Sequence, residues 1–392
     1  MQITIVGGGF GGVKAALQLS KNKKAEITLI SDKPDFQYYP ALYGTATGYS
    51  HLQSWVPLGE IFAGKDNVTV IIDSIKTIDK AEQTITGSSG IHYPYHTLIL
   101  ALGSITTYFG IEGLDQYAYG IKSEDEISEL KQHLLEEFSR ANAADKNFLI
   151  VGAGPTGVEL SSALGSYLAQ LKKHYNKPGP KITITLIEAS PRVLPRMSEK
   201  ASSLVAARLK SLGVHVEVGK KVEAETADSL IVSGKPIKSH TVIWTSGVAN
   251  NSFFAANANN FTFTKNGKVV VDNYLRADDN IYVIGDNAAT QFSGLAQTAL
   301  RDGVFVARHI LKKPKAKYVA KMPPVVVPVG ENWAIFEYKK LQFTGLIGSL
   351  IRRAADFVGY SDFLPFGQAL GVWRAQSIKS DDPYVAPSSL KD

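Results

Sequence analysis

The chain has 392 residues, of which 44% are hydrophobic and 20% are charged, and its formal net charge is +6. This composition is typical of a folded globular protein with two or three domains, and it shows no dense basic run interleaved with aromatics, so nucleic acid is not an expected partner. The absence of cysteine excludes disulfides, iron–sulfur ligation and redox-active cysteine pairs, and the eight histidines lack metal-ligand spacing, so no metal is expected.

A strand, a glycine-rich turn and a helix are predicted at the start of the chain. The apolar run 3–6 predicts a strand, 12–19 predicts a helix, and Gly7-Gly8-Gly9-Phe10-Gly11-Gly12 between them fits G-x-G-x-x-G. Glycines in this arrangement let a pyrophosphate approach the backbone at the helix N-terminus, whose free N–H groups attract anions. A strand over 26–30 completes the βαβ unit.

The ribose contact of this first unit has two candidates. An acidic residue about 20 positions beyond the last glycine binds the adenosine ribose hydroxyls of a dinucleotide. Asp32 has this spacing. Ser31 is the alternative if it takes the last position of the strand.

The plan of the first unit repeats after residue 116. Gly152-Ala153-Gly154-Pro155-Thr156-Gly157 again fits G-x-G-x-x-G and again follows an apolar run. One such turn is weak evidence, but two in the same context indicate two dinucleotides, which suggests a flavin and a nicotinamide. The other elements predicted up to residue 247 are strands over 68–72, 84–86, 97–102, 148–151, 182–188, 214–218 and 241–244, helices over 124–138 and 158–172, and a hairpin around 234–235.

The second unit carries a carboxylate where its second strand ends, at Glu188. A carboxylate there accepts hydrogen bonds from both ribose hydroxyls and repels a 2′-phosphate. The nearest following arginine is Arg192, four residues on. The pattern therefore favours NADH over NADPH.

The rest of the chain contains one more buried-type strand and an amphipathic tail. The strand, over 280–284, ends in Gly285-Asp286. The predicted fold is α/β with two Rossmann-like domains and a C-terminal membrane-docking segment. Its parts are a first dinucleotide-binding domain over 1–115 and 248–318, a second dinucleotide-binding domain over 116–247, and a docking or dimerisation region over 319–392.

The tail has an apolar stripe at helical spacing, with Arg352, Arg353 and Asp356 off the stripe. An apolar face with basic flanks and nearby aromatics suits a helix lying in a membrane surface, and packing on the protein core or on a second subunit is the alternative. The stripe consists of Leu346, Ile347, Leu350, Ile351, Ala354, Ala355 and Val358.

The Gly-Asp strand end and the junctions 100–103 and 244–247 resemble the two-dinucleotide-fold flavoprotein reductases. This resemblance covers residues 1 to about 305. It implies FAD in the first unit and NADH in the second. The residues it assigns to FAD are Gly7, Gly9, Phe10, Gly11, Gly12, Ser31, Asp32, Ala101, Gly103, Asp286 and Ala296. Those it assigns to NADH are Gly152, Gly154, Pro155, Thr156, Gly157, Glu188 and Gly247.

Within that group, segments 36–43, 154–160 and 294–301 resemble type II NADH dehydrogenases. The last segment resembles their A-Q-x-A-x-Q quinone motif, with Gln297 retained and Arg301 in place of the final glutamine. The resemblance implies transfer of electrons from NADH through FAD to a quinone, with Glu159 and Gln297 catalytic and Arg301 beside the quinone. It also implies a non-pumping respiratory-chain enzyme, peripheral on the cytoplasmic side of the cell membrane through 345–374, and allows a homodimer.

Two other functions remain open at this point. One is a soluble NADH-dependent flavoprotein reductase of a small iron–sulfur or haem protein, whose tail would not need an amphipathic helix. The other is a binding flavoprotein of the apoptosis-inducing-factor type, whose redox state controls a partner. Cysteine-dependent disulfide reductases and sulfide:quinone oxidoreductases are excluded because the chain has no cysteine.

Overall fold

The computed structural model describes residues 1–139, 146–176, 181–312 and 316–379. Its first part contains ten strands and three helices, in the order expected of a βαβ unit followed by a β-meander. They are β1 Gln2–Val6, α1 Phe10–Leu19, β2 Glu26–Ser31, β3 Asp35–Gln37, α2 Leu42–Ala46, β4 Trp55–Pro57, α3 Leu58–Ile61, β5 Val68–Ile72, β6 Ile75–Asp79, β7 Thr84–Gly87, β8 His92–Pro94, β9 Thr97–Leu100 and β10 Ser104–Thr106.

The second part repeats this plan with longer helices. Its elements are α4 Leu114–Tyr117, α5 Glu124–Ser139, β11 Asn147–Val151, α6 Pro155–His174, β12 Thr183–Glu188, α7 Glu199–Ser211, β13 Val214–Val218, β14 Val222–Thr226, β15 Ser229–Val232, β16 Lys235–Lys238 and β17 Thr241–Trp244. Those that follow are β18 Val248–Asn250, α8 Ser252–Ala256, β19 Arg276–Asp278, β20 Ile281–Val283, α9 Ala296–Lys312, β21 Val325–Pro328, β22 Ala334–Tyr338, β23 Leu341–Phe343, α10 Gly345–Ser361 and α11 Phe366–Ala375.

Two sheets organise the molecule, and their central strands are parallel. The first has the order β19-β20-β9-β1-β2-β5, so the chain returns to it after the second unit is complete. The second has the order β13-β12-β11-β17. Their central strands are continuous apolar runs because both faces are covered. Strands β10 and β18 pair as a ribbon where the chain leaves the first unit and comes back.

The C-terminal part of the chain is divided between the two hydrophobic cores. Val327 and Ile335 of its sheet (β21-β22-β23) pack into the core of the second unit, with α6 and α7. Tyr360 and Phe363 pack into the core of the first unit, with α1 and β1. The two units are thereby joined by buried packing as well as by the chain.

Candidate functional site

The first glycine turn forms a cradle that side chains would fill. Gly7 has φ of +118°, and a Cβ on it would lie 2.2 Å from the Ala101 carbonyl oxygen. A Cβ on Gly12 would lie 2.0 Å from the Gly7 oxygen, whereas one on Gly9 would meet only open space. Gly9 caps α1 without a side-chain hydrogen bond. The turn therefore offers free N–H groups to a pyrophosphate.

The end of β2 settles the register of the two ribose candidates. Ser31 is the last residue of β2, the position that Glu188 holds in β12, and it is buried. Its hydroxyl donates to the Lys33 carbonyl at 2.7 Å. Asp32 is the first residue after the strand and is exposed. The carboxylate thus lies one residue beyond the strand end.

The Gly-Asp turn lies beside this cradle. The Asp286 carboxylate accepts a hydrogen bond from Ser104 Oγ at 2.8 Å, and Lys122 Nζ donates to the same hydroxyl at 3.0 Å. The Asn287 amide bonds both the N–H and the carbonyl of Gly103, at 3.0 and 2.6 Å. Lys122 and Asn287 are absent from the sequence prediction, and no motif pointed to them.

Tyr39 shows that acidic residues from separate segments surround one space. Burial and the carboxylates of Asp286, Asp32 and Glu126 raise the pKa of Tyr39 to about 12. Tyr39 nevertheless keeps 45% of its surface exposed. The Phe10 ring, within the first glycine turn, lies 6.4 Å from the Tyr39 ring. Phe10 and Tyr39 are therefore aromatic side chains beside the first glycine turn that could contact a bound dinucleotide.

The residues of the quinone motif lie in the first two turns of helix α9. Ala296 begins the helix and Gln297 follows it, exposed and without a hydrogen bond to another described side chain. Arg301 lies one turn later, and its guanidinium donates to the Lys321 carbonyl at 2.7 Å. The side-chain partner of Glu159 is Arg352, on the C-terminal helix α10.

The second glycine turn repeats the geometry of the first. Gly152 has φ of +106°, and a Cβ on it would lie 2.2 Å from Ser246 Oγ. A Cβ on Gly157 would lie 1.8 Å from the Gly152 oxygen, and one on Gly154 would meet open space. Pro155 begins α6, and Thr156 follows it in the first turn. Gly247 has φ of +79° and packs against Phe109.

Glu188 is held at the edge of this second cradle. Its carboxylate accepts hydrogen bonds from the N–H groups of Ala153 and Ser190, each at 2.7 Å. Arg192 is engaged elsewhere, because its guanidinium donates to the Met197 carbonyl at 2.8 Å and to Ser202 Oγ at 2.7 Å. Arg192 is therefore engaged within the protein, and the Glu188 carboxylate is the charged group at the end of β12 beside the second glycine turn.

Glu159 lies in a buried charge cluster formed with the C-terminal helix. Its Oε1 is 3.2 Å from Arg352 Nη1, and Arg352 Nε donates to Asp356 Oδ2 at 2.8 Å. Arg352 also donates to the Pro40 carbonyl at 2.6 Å, and Tyr38 donates to Asp356 at 3.1 Å. Burial raises the pKa of Glu159 to about 7, although the guanidinium opposes this shift. The cluster joins α6, α10 and the loop after β3.

The tail helix α10 presents its apolar side away from the protein. Arg352 and Asp356, which the sequence placed off the apolar stripe, are buried. Helix α10 packs on the protein through Gly348, Arg352, Asp356 and Tyr360, as in the alternative of a helix packed on the core, while most of the predicted stripe lies on the outer side of the helix. Four large apolar residues of the stripe are strongly exposed. The four are Leu346 at 67%, Ile347 at 58%, Leu350 at 67% and Val358 at 61% exposure.

Comparison with known proteins places these features in context. The protein-family model of the pyridine nucleotide-disulphide oxidoreductases matches residues 1–303. The chain is 29% identical to the type II NADH:quinone oxidoreductase of Mycobacterium tuberculosis in an alignment of length 385 that covers 89% of this chain and 82% of that protein. It is 28% identical to that of Staphylococcus aureus in an alignment of length 332 that covers 79% of this chain and 81% of that protein.

A solved structure shares the fold over nearly the whole chain. NDH2 from Plasmodium falciparum, solved in complex with NADH, superposes with a TM-score of 0.86 at 18% identity. The superposition covers 96% of this chain and 97% of that one. The fold therefore extends beyond the part that the family model matches and includes the C-terminal helices.

Proposed function

Because the chain belongs to the pyridine nucleotide-disulphide oxidoreductase family, we propose that it is an FAD-dependent NADH:quinone oxidoreductase of type II. The observation that carries the proposal is the pair of matched glycine cradles in a chain without cysteine. The two relatives named above carry this activity in their names. The overall reaction is NADH, H⁺ and quinone giving NAD⁺ and quinol.

In this proposal the first cradle holds FAD and the second holds NADH. The chemistry that bound FAD supplies is acceptance of a hydride and delivery of two electrons. The protein's contribution is placement. The first turn and Asp286 fix one dinucleotide, while the second turn, Gly247 and Glu188 fix the other. Boundaries near residues 115, 247 and 318 separate the flavin, nicotinamide and C-terminal parts.

Glu159 is the proposed proton donor for quinone reduction. The carboxyl is buried, and its pKa of about 7 lets it hold a proton at neutral pH and release it. Arg352 fixes its orientation from α10. Gln297, exposed at the start of α9, is proposed to donate its amide to a quinone carbonyl. Arg301 is proposed to border the same site, held by the Lys321 carbonyl.

We propose that the outward face of α10 docks on the membrane surface, on the cytoplasmic side. None of the helices in the described part of the chain combines the length and apolarity needed to cross a bilayer. Exposed leucine and isoleucine on one face, with the exposed Arg353 beside them, suit an interfacial helix. A homodimer through this face is the competing proposal, because either partner would remove the apolar surface from water.

Replacing Leu346, Ile347 and Leu350 together with serine is expected to weaken binding to anionic phospholipid vesicles by at least about 100-fold, since each buried side chain contributes about 1.5–3 kcal/mol. Vesicle co-sedimentation measures this. Because the three side chains are exposed, the fold should be unchanged. Deleting the chain from residue 340 onward would not test docking alone, because the deletion also removes Tyr360 and Phe363 from the core of the first unit.

The matched control replaces three other exposed apolar side chains with serine, and it should bind vesicles like the unaltered protein. Undiminished vesicle binding by the α10 variant would contradict the docking proposal. If that variant instead turns a dimer into a monomer, the face is an interface between copies. The control positions are Leu52, Ile72 and Ile91.

The activity itself is tested on the purified protein. It should be yellow, lose its flavin absorbance on mixing with NADH, and regain it on addition of a short-chain quinone. Stopped-flow absorbance at the flavin band follows both half-reactions. Ubiquinone, menaquinone and a small iron–sulfur protein are compared as acceptors. The quinone assignment is abandoned if no quinone restores the colour faster than dissolved oxygen does.

A further inference from the structure

Asp302 is a buried carboxyl that the proposed reaction does not use. It lies on α9 and is fully buried, at 0% exposure. Its Oδ2 accepts a hydrogen bond from the Gly285 N–H at 3.0 Å. Tyr318 places its hydroxyl beside the same carboxyl, and this contact raises the pKa of the phenol, after burial as the larger cause. A carboxyl in such surroundings needs its partners, since burial without them is costly.

The partner of Asp302 is the residue on which the Gly-Asp turn depends. Gly285 has φ of +68°, a left-handed conformation, and begins the turn that carries Asp286. Its carbonyl accepts a hydrogen bond from Ser293 Oγ at 2.9 Å, and Lys268 Nζ donates to Ser293 Oγ at 2.7 Å. Gly285 is therefore held at its N–H by Asp302 and at its carbonyl by Ser293.

The residue after Asp302 brings the same helix against the first cradle. A Cβ on Gly303 would lie 2.5 Å from the Gly11 oxygen and 3.1 Å from the Ala15 nitrogen, so α9 and α1 touch through their backbones. Gly11 belongs to the first glycine turn. Helix α9 thus contacts that turn through Gly303 and fixes the Gly-Asp turn through Asp302.

We propose that Asp302 is a positioning residue for the flavin: through Gly285 it sets the distance between Asp286 and the first glycine turn. Asp286 then meets the polyol of a flavin dinucleotide whose pyrophosphate lies on that turn. The inference rests on the proposed FAD site and does not depend on the quinone acceptor. It assigns Asp302 no proton transfer and no contact with the reacting atoms.

Replacing Asp302 with leucine in the full-length chain is expected to raise the Kd for FAD about ten- to hundredfold, because a hydrogen bond to a charged acceptor is lost. Asp302→Asn keeps an acceptor for the Gly285 N–H and should stay within about threefold of the unaltered protein. The Kd is measured by flavin fluorescence during titration of FAD-depleted protein. Visible circular dichroism of the FAD-saturated Asp302→Leu variant should also change, reporting a displaced flavin.

Val306→Ala is the matched control, since Val306 is a fully buried residue of the same helix in the same core. It should lower the unfolding midpoint and leave the Kd for FAD and the dichroism unchanged. If Asp302→Leu does not fold, Ser293→Ala frees the other side of Gly285 and should raise the Kd about threefold.

Three results would overturn the proposal. The first is an unchanged Kd for FAD in both Asp302→Leu and Ser293→Ala. The second is an equal rise in the Kd for FAD in Asp302→Leu and Val306→Ala, and the third is an equal rise in Asp302→Asn and Asp302→Leu. Failure of the unaltered protein to bind FAD would instead refute the flavin assignment itself.

Discussion

Replacing Glu159 with glutamine is expected to slow flavin reoxidation by quinone about 100-fold, within the usual contribution of a positioned general acid. Reduction by NADH should stay within about threefold, because the amide keeps the shape of the side chain. The large effect on reoxidation is expected because Arg352, 3.2 Å from the Glu159 carboxyl in a buried ion pair, holds that carboxyl in place. Stopped-flow mixing of the NADH-reduced protein with quinone measures the loss.

The pH dependence of the unaltered protein should carry the same signature. Because burial raises the pKa of Glu159 from its ordinary 4.5 to about 7, the reoxidation rate should fall as pH rises through about 7. The folded state binds the proton more tightly than the unfolded chain, so the contribution of Glu159 to stability is full below pH 4.5 and is lost as pH rises through 7. Glu159→Gln should lack both trends.

Glu225→Gln is the control for this variant. Glu225 is also a buried glutamate, with a pKa raised by burial to about 8, but it lies on the β14–β16 meander. Its replacement should leave reoxidation by quinone and the inflection near pH 7 unchanged. Reoxidation of Glu159→Gln at the unaltered rate, with the inflection retained, would remove Glu159 from the proton path.

Replacing Glu188 with arginine is expected to reduce the preference for NADH over NADPH by about 100- to 1,000-fold. Loss of the charge-assisted hydrogen bonds from the ribose to Glu188 weakens the binding of NADH. Removal of the repulsion between the Glu188 carboxylate and the 2′-phosphate strengthens the binding of NADPH. Arg192 cannot already serve that phosphate, because its guanidinium is bonded to the Met197 carbonyl and Ser202. The ratio of kcat/KM for the two nucleotides gives the measurement.

Glu217→Arg applies the same charge change on the neighbouring strand and serves as the control. Glu217 pairs with Ile187, so its side chain points to the sheet face opposite that of Glu188. Its replacement should leave nucleotide preference unaltered. A preference in Glu188→Arg that matches the control would show that Glu188 does not contact the ribose.

Local patterns in the sequence were sufficient to predict the frame of both units. The strand predicted over 214–218 is observed as Val214–Val218, and the helix predicted over 158–172 is observed as Pro155–His174. The helix begins earlier than predicted because proline is well suited to the first helical position. Helices α7 and α9 were not predicted, and α9 carries Gln297, Arg301 and Asp302.

What the sequence could not supply is which distant residues meet. The periodicity of α10 separates an apolar face from a charged one, but it does not say which face is buried. Arg352 lies inward because Glu159, 193 residues away, pairs with it. The same limit applies to Asp302 and Gly285, since a hydrogen bond between a side chain and a turn leaves no periodic trace.

The placement of α10 and α11 against the first unit has a consequence for how the chain matures. Tyr38 and Asp356 share a hydrogen bond across 318 residues, and the Phe36 and Phe363 rings lie 4.3 Å apart. At a translation rate of about 5–20 residues per second, the second partner is synthesised roughly 15–60 s after the first. The second unit is contiguous from α4 to β17, but its core also contains Val327 and Ile335, and the core of the first unit contains Tyr360 and Phe363. Both cores are therefore complete only after the C-terminal elements have been synthesised. FAD is therefore expected to bind only after that point in synthesis.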